Sequence, residues 1–96
     1  APIPTWPEAT MVLIAGRDGV SFVRADGATV GRIRACRVAG MDAYELSVTF
    51  MGATEELASV SGLSPEAAAR MVVDEYRRRQ RRWNDRRRER ESEVRP

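Results

Sequence analysis

The last third of the chain contains no glycine and no proline from Glu66 to Arg95, and this stretch constrains the fold most. It follows Ser64-Pro65, which supplies a capping hydroxyl and a proline suited to the first helical position. At 100° per residue, one stripe holds a mostly apolar set: Ala69, Val72, Val73, Tyr76, Gln80 and Trp83. The pattern predicts one helix from Ser64 to about Glu91, about 40 Å long, which is more than a small domain covers.

The residues before this helix predict β-strands joined by tight turns. Asp26-Gly27 is the strongest hairpin signal in the chain, and Gly16 to Gly19 and Ala39 to Asp42 have turn composition. The segments between these turns are apolar or alternate between apolar and polar residues. They predict strands at Thr10–Ala15, Val20–Arg24, about Thr29–Val38 and Tyr44–Met51.

The fourth predicted strand alternates most cleanly, with Tyr44, Leu46, Val48 and Phe50 on one face. One buried and one solvated face is typical of an antiparallel sheet covered by a helix on one side. The fold class is therefore predicted as α+β: an antiparallel β-meander of three to four strands, then one long C-terminal helix that packs on one face and projects beyond it. The segment 54–60 fits a short helical turn, a loop or a further short strand.

Three parts of the chain differ in composition. Residues 1–9 contain Pro2, Pro4 and Pro7 around Trp6, which predicts an extended proline-rich arm with the tryptophan tucked against the domain. Residues 10–76 form the predicted α+β core, including the start of the long helix. Residues 77–96 form an arginine-rich helix extension and tail. A chain of 96 residues is expected to form one domain with a modest core.

The composition argues against most catalytic and metal chemistry. The chain has one cysteine, Cys36, and no histidine, so an internal disulfide is impossible and the usual zinc sites are excluded. The adjacent acids Glu55 and Glu56 would point about 100° apart on a helix and form no natural acid/base pair. We therefore expect a non-catalytic binding module without cofactor or metal. Without a signal peptide or a long apolar run, a cytoplasmic protein with no membrane partner is expected.

The charges are distributed unevenly along the chain, and the basic C-terminal end indicates a negatively charged partner. Residues 1–69 carry five arginines against eight acids, whereas residues 70–96 carry eleven arginines against six acids. Arginine clusters attract phosphates through counterion release, and Trp83 could stack on an unpaired base. In composition the segment from Arg77 to Arg90 resembles the arginine-rich helical peptides with which some viral and phage proteins bind RNA. The predicted function is low-specificity binding of DNA or RNA by a set on the helix: Arg77, Arg78, Arg79, Arg81, Arg82, Trp83, Arg86, Arg87 and Arg88.

Two strand arginines, Arg32 and Arg34, are predicted to share one face of the sheet and could contribute phosphate contacts. The order of meander then helix is similar to that of small integrase-arm and plant transcription-factor domains, whose sheets contact DNA. The alternative for this pair is a surface position opposite Glu45 or other acids of the sheet.

A protein-interaction or assembly module, such as a phage or plasmid accessory protein, is the alternative function. Pairs such as Glu75 with Arg79 and Asp74 with Arg78 have the spacing of ion pairs on a solvated helix. A helix that outruns its sheet leaves Trp83 uncovered in a monomer. A second copy of the helix would cover it, which predicts a homodimer with an interface at Tyr76, Gln80 and Trp83.

Overall fold

The computed structural model describes residues 11–94, in which five strands precede one helix. The elements are β1 (Val12–Ala15), β2 (Val20–Ala25), β3 (Ala28–Val38), β4 (Met41–Phe50), β5 (Ala53–Ser61) and α1 (Pro65–Val94). Neighbouring strands are antiparallel in the order β1-β2-β3-β4-β5, so the sheet is a simple meander. The α+β prediction is confirmed, with one strand more than the three to four expected. The predicted arm at residues 1–9, with Trp6, lies outside the described residues.

Each of the four hairpins turns on two residues with positive φ, the second of which is glycine. The turns are Asp18-Gly19, Asp26-Gly27, Ala39-Gly40 and Met51-Gly52. Two left-handed residues in succession form the type I′ turn, whose twist matches that of paired strands. The hairpin predicted at Asp26-Gly27 is confirmed.

The Met51-Gly52 turn was not predicted, because the sequence pattern places Met51 inside the fourth strand. The turn returns the chain directly along β4, where Tyr44 pairs with Val60 and Phe50 pairs with Ala53. Of the three alternatives for residues 54–60, the further strand is therefore the correct one, and the helical turn is wrong.

The first half of α1 packs across β2, β3 and β4. The predicted helix start is confirmed, since Ser64 Oγ accepts a hydrogen bond from the Ala67 amide at 3.2 Å. Helix and strand residues together form the core: Val23, Ala25, Val30, Ile33, Leu46, Ala68, Ala69, Val72 and Val73. The predicted inner face of β4 is also confirmed, because Tyr44 and Tyr76 pack against this core and Phe50 contacts the ring of Tyr76.

The helix leaves the sheet at the end that carries the turns Asp26-Gly27 and Met51-Gly52. Beyond Arg79, which is partly buried, every described side chain from Gln80 to Ser92 is exposed. We call residues 80–94 the projecting half of α1; at 1.5 Å per residue it extends roughly 22 Å. The prediction of a helix that outruns its sheet is therefore confirmed.

Candidate nucleic-acid interface

Arg79 fastens the helix to the edge of the sheet where the two part. Its Nη1 donates to Glu55 Oε2 on β5 at 2.6 Å, and its Nε donates to Glu75 Oε2 at 2.9 Å. The hydrogen bond to Glu55, and then that to Glu75, raise the pKa of Arg79. The same hydrogen bond and the arginine's charge lower the pKa of Glu55. Arg79 was predicted to bind phosphate, but its charge is already satisfied by two carboxylates.

Glu75 also draws in two further arginines of the predicted set. Arg78 Nη2 lies 3.2 Å from Glu75 Oε1, and Arg82 Nη2 lies 3.5 Å from Glu75 Oε2. The i,i+4 pair of Glu75 with Arg79 is confirmed, whereas Arg78 pairs with Glu75 and not with Asp74. The reason is geometric: Glu75 is only 19% exposed and stands where three arginines on one side of the helix reach it.

Arg77 is held against the turn between β2 and β3. Its side chain is 15% exposed, and its Nη2 lies 3.6 Å from Asp26 Oδ2. Burial is the main influence on this guanidinium and lowers its pKa, partly offset by the charges of Asp26 and Asp74. The first three arginines of the run, Arg77, Arg78 and Arg79, thus lie beside acidic residues where the helix leaves the sheet. Nothing in the sequence pattern distinguishes them from the arginines that follow.

The projecting half presents its arginines differently. Within the projecting half, four arginines have no carboxylate of a described residue within 4.0 Å: Arg81, Arg86, Arg88 and Arg90. Arg87 Nε lies 3.5 Å from Glu91 Oε1, four residues later, and its Cζ is 5.5 Å from the centre of the Trp83 ring. Arg90 was not among the predicted site residues, although its position four residues after Arg86 places it on the same side of the helix.

The buried face of the helix continues past the sheet as a basic surface. Arg79, Trp83, Arg86 and Arg90 follow Val72 at helical spacing and therefore lie on the same side of the helix. Arg81 and Arg88 lie on the opposite side. Arginines thus surround the projecting half, and the tryptophan lies only on the side that continues the core.

A cleft opens where this side of the helix leaves the sheet. It is lined by Phe50, Arg79, Arg82, Trp83 and Arg86 and has a volume of about 320 Å³. We call it the junction cleft. Trp83 is 39% exposed at its wall, while Phe50 is held by an edge-to-face contact with Tyr76, with ring centres 5.6 Å apart. Of the predicted interface residues, Tyr76 is thus half-buried against its own sheet, and Gln80 is exposed.

Arg32 and Arg34 share a face of the sheet, as predicted, but it is the face opposite the helix. Arg34 Nη2 pairs with Glu45 Oε2 at 2.9 Å, and the hydrogen bond to Glu45 raises the pKa of Arg34. Arg32 has no salt bridge among residues 11–92. Both line a shallow cavity of about 190 Å³ together with Glu45, Ser47 and Glu56. The structure therefore does not join this pair to the helix arginines in one surface.

Two other strand arginines stabilise turns, a role that the sequence analysis missed. Arg24 Nη2 donates to the Gly27 carbonyl at 2.6 Å, and Arg37 Nη2 donates to the Gly40 carbonyl at 2.9 Å. The signal is visible afterwards: an arginine stands three residues before the glycine of each of these turns.

Cys36 is half-buried in β3, and no group of three potential metal ligands occurs among the described residues. No helix in the described range is long and apolar enough to cross a bilayer. Comparison with known proteins finds no matching family model, no similar curated protein and no similar solved structure.

Proposed function

We propose that this chain is a nucleic-acid-binding module that contacts phosphates with the projecting half of α1. One observation carries the proposal: Arg81, Arg86, Arg88 and Arg90 stand exposed on the projecting half, with no described carboxylate within 4.0 Å. Each guanidinium offers a planar set of donors that matches a phosphate. Phosphate binding by such groups is favoured by the release of counterions and weakens steeply as salt rises.

The ion pairs in the part of the helix that packs on the sheet support different roles for the arginines there and the arginines of the projecting half. Arg77 and Arg79 pair with Asp26 and Glu55 and hold the helix against the sheet, and Arg78 pairs with Glu75 within the helix. Further along the helix, Arg81, Arg86, Arg88 and Arg90 form no salt bridge with a described residue. A backbone-directed contact of this kind has little sequence preference, because phosphates carry no sequence information.

The test compares two double variants that remove equal charge from opposite ends of the molecule. Arg86→Gln with Arg90→Gln alters the projecting half and leaves the ion pairs of Glu55 and Glu75 intact. Arg17→Gln with Arg37→Gln alters two turns at the far end of the sheet. Binding to labelled DNA and RNA is measured by fluorescence anisotropy from 20 mM to 300 mM salt.

We expect the helix variant to bind more weakly at every salt concentration. Its slope of log affinity against log salt should fall by about 0.7 to 0.9 for each lost phosphate contact. The turn variant should keep the wild-type slope. Equal effects of the two variants, or no binding by the wild-type protein at 20 mM salt, would contradict the proposal.

A protein-interaction or assembly role is the second candidate, favoured by the sheet face opposite the helix. Ile14 and Phe22 are cross-strand partners there and are 43% and 40% exposed, and Val12 is 55% exposed. A cluster of this kind on a small domain is typical of a contact surface. The homodimer predicted through Trp83 belongs to this candidate and remains a prediction.

A further inference from the structure

We infer that the junction cleft receives an unpaired base, so that the polymer bound by this chain is single-stranded. The inference rests on the proposed function and narrows its ligand. It identifies Trp83 as the stacking surface, Phe50 as the opposite wall, and Arg82 and Arg86 as the contacts to the adjoining phosphates.

The cleft has the composition of a base-binding site. Two aromatic side chains, Phe50 and Trp83, stand among arginines, and the volume of about 320 Å³ lies at the small end of the range of roughly 300–1,000 Å³ for ligand sites. Stacking on an aromatic ring suits any base, because every base has a π-face.

Both aromatic rings have a contact partner within the chain. Phe50 is held edge-to-face against Tyr76 at an interplanar angle of 71°. The Arg87 guanidinium lies over the Trp83 indole, 5.5 Å from the ring centre, and does not line the cleft. Rings that are already positioned lose little side-chain freedom on binding.

The three arginines of the cleft differ in how firmly they are held. Arg79 makes two close hydrogen bonds, to Glu55 and Glu75, and forms a fixed floor. Arg82 has one contact with Glu75, at 3.5 Å, and its side chain is 62% exposed. Arg86 has no carboxylate within 4.0 Å in the described chain. The available positive charge therefore stands at Arg82 and Arg86, one helical turn apart along the side of α1 that lines the cleft.

A duplex cannot use this arrangement without opening. Bases in a helix are stacked on their neighbours, so an indole beside the backbone reaches no free base face unless a base is extruded. A single strand can place a base in the cleft and its flanking phosphates on the two arginines at once. An aromatic ring beside two separate arginines distinguishes this surface from one that binds by charge alone.

The experiment follows the fluorescence of Trp83 in a Trp6→Phe background, which leaves Trp83 as the single tryptophan. The probes are a uridine dodecamer, the matching deoxythymidine dodecamer, an abasic strand of equal charge, a DNA duplex of equal length and free uridine monophosphate. Anisotropy of labelled strands gives the affinities. Trp83→Leu removes the ring, Trp83→Phe keeps an aromatic surface, and Met71→Ala removes an exposed apolar side chain elsewhere on the helix.

We expect both dodecamers to quench Trp83 emission and the abasic strand and the duplex to leave it unchanged. Trp83→Leu should weaken single-strand binding by about ten- to a hundredfold and duplex binding little, with Trp83→Phe in between and Met71→Ala unchanged. Quenching by uridine monophosphate at millimolar concentration alone would assign the cleft to free nucleotides and overturn the inference.

Failure of this inference can be distinguished from failure of the proposed function. Equal affinity for the dodecamer, the abasic strand and the duplex would overturn the inference and leave the proposed function standing. Absence of binding to every probe would overturn both. Trp83 emission that shifts with protein concentration in the absence of any strand would show that a second copy of the chain covers the indole, which also overturns the inference.

Discussion

Cγ1 of Val72 occupies the space in which a side chain at Gly31 would begin. A Cβ atom at Gly31 would collide with this methyl group and with the main-chain oxygen of Ser47 on β4. The glycine therefore sets how closely α1 approaches the sheet, and the bulge that turns Val30 into the core stands directly before it.

Replacing Gly31 with alanine should destabilise the fold by about 1–3 kcal/mol, because one methyl group is forced into a filled core. Urea denaturation of Gly31→Ala, Val72→Ala and the double variant gives the coupling. We expect alanine at position 31 to be tolerated better in the Val72→Ala background. Only partial relief is expected, since the Ser47 oxygen remains. Strict additivity of the two changes would show that the helix does not rest on Gly31.

Val72→Asp should destabilise by roughly 3 kcal/mol or more, because it buries an unpaired carboxylate between helix and sheet. The neighbouring Met71 is 42% exposed and provides the control. Met71→Asp should cost less than about 0.5 kcal/mol, as surface substitutions usually do. Thermal melts of the two variants separate the faces of the helix. Similar losses at both positions would mean that the buried stripe is misplaced.

Met51 is 68% exposed and holds φ at 51°, in the first position of a type I′ turn. Asparagine favours this position, and a left-handed conformation costs other residues roughly 1–2 kcal/mol. Met51→Asn should therefore raise the thermal midpoint, and Met51→Val, which is β-branched, should lower it. The reverse order in a calorimetric scan would argue against this turn.

The Glu55–Arg79 contact makes stability depend on pH in the acid range. The pKa of Glu55 is lower in the folded than in the unfolded chain, so its stabilisation is complete above about pH 4.3 and is lost as pH falls through the folded value. Glu55→Gln should flatten the fall of the thermal midpoint between pH 5 and pH 2.5. Glu56→Gln, a neighbour without a salt bridge in the described chain, should leave that fall in place.

Self-association through Trp83 is tested by light scattering after size exclusion. If a dimer exists, Trp83→Ala should leave the circular dichroism spectrum intact and shift the molecular mass towards the monomer. Truncating an aromatic anchor typically costs more than about 2 kcal/mol of association. Met71→Ala is the matched control. A wild-type mass of one chain at high concentration contradicts the homodimer prediction.

Much of the fold could be predicted from local patterns. The Ser64 cap, Pro65 at the first helical position and the apolar stripe through Val72 define the helix. The alternation in β4 defines which face the helix covers. The fifth strand was one of three alternatives, because a turn at Met51-Gly52 requires a methionine with positive φ, a conformation that its residue type does not indicate.

The site was harder to predict, because the roles of the arginines depend on contacts distant in sequence. Arg79 reaches Glu55 on β5, 24 residues earlier, and Arg77 reaches Asp26 in a turn. No helical spacing reveals either partner. Phe50 joins Trp83 at the junction cleft for the same reason, since strand and helix meet there only after the sheet has formed.

The helix α1 runs without interruption from the sheet into solvent, so the projecting half and the sheet would move together as one body. The two parts meet where Arg79 contacts Glu55. From Glu66 to Val94 the helix has no glycine or proline at which it could bend. A partner bound near Arg90 would therefore fix the orientation of the whole sheet relative to that partner. The exposed pair Ile14 and Phe22, on the sheet face away from the helix, would then have a set direction relative to any partner bound at that end of the helix.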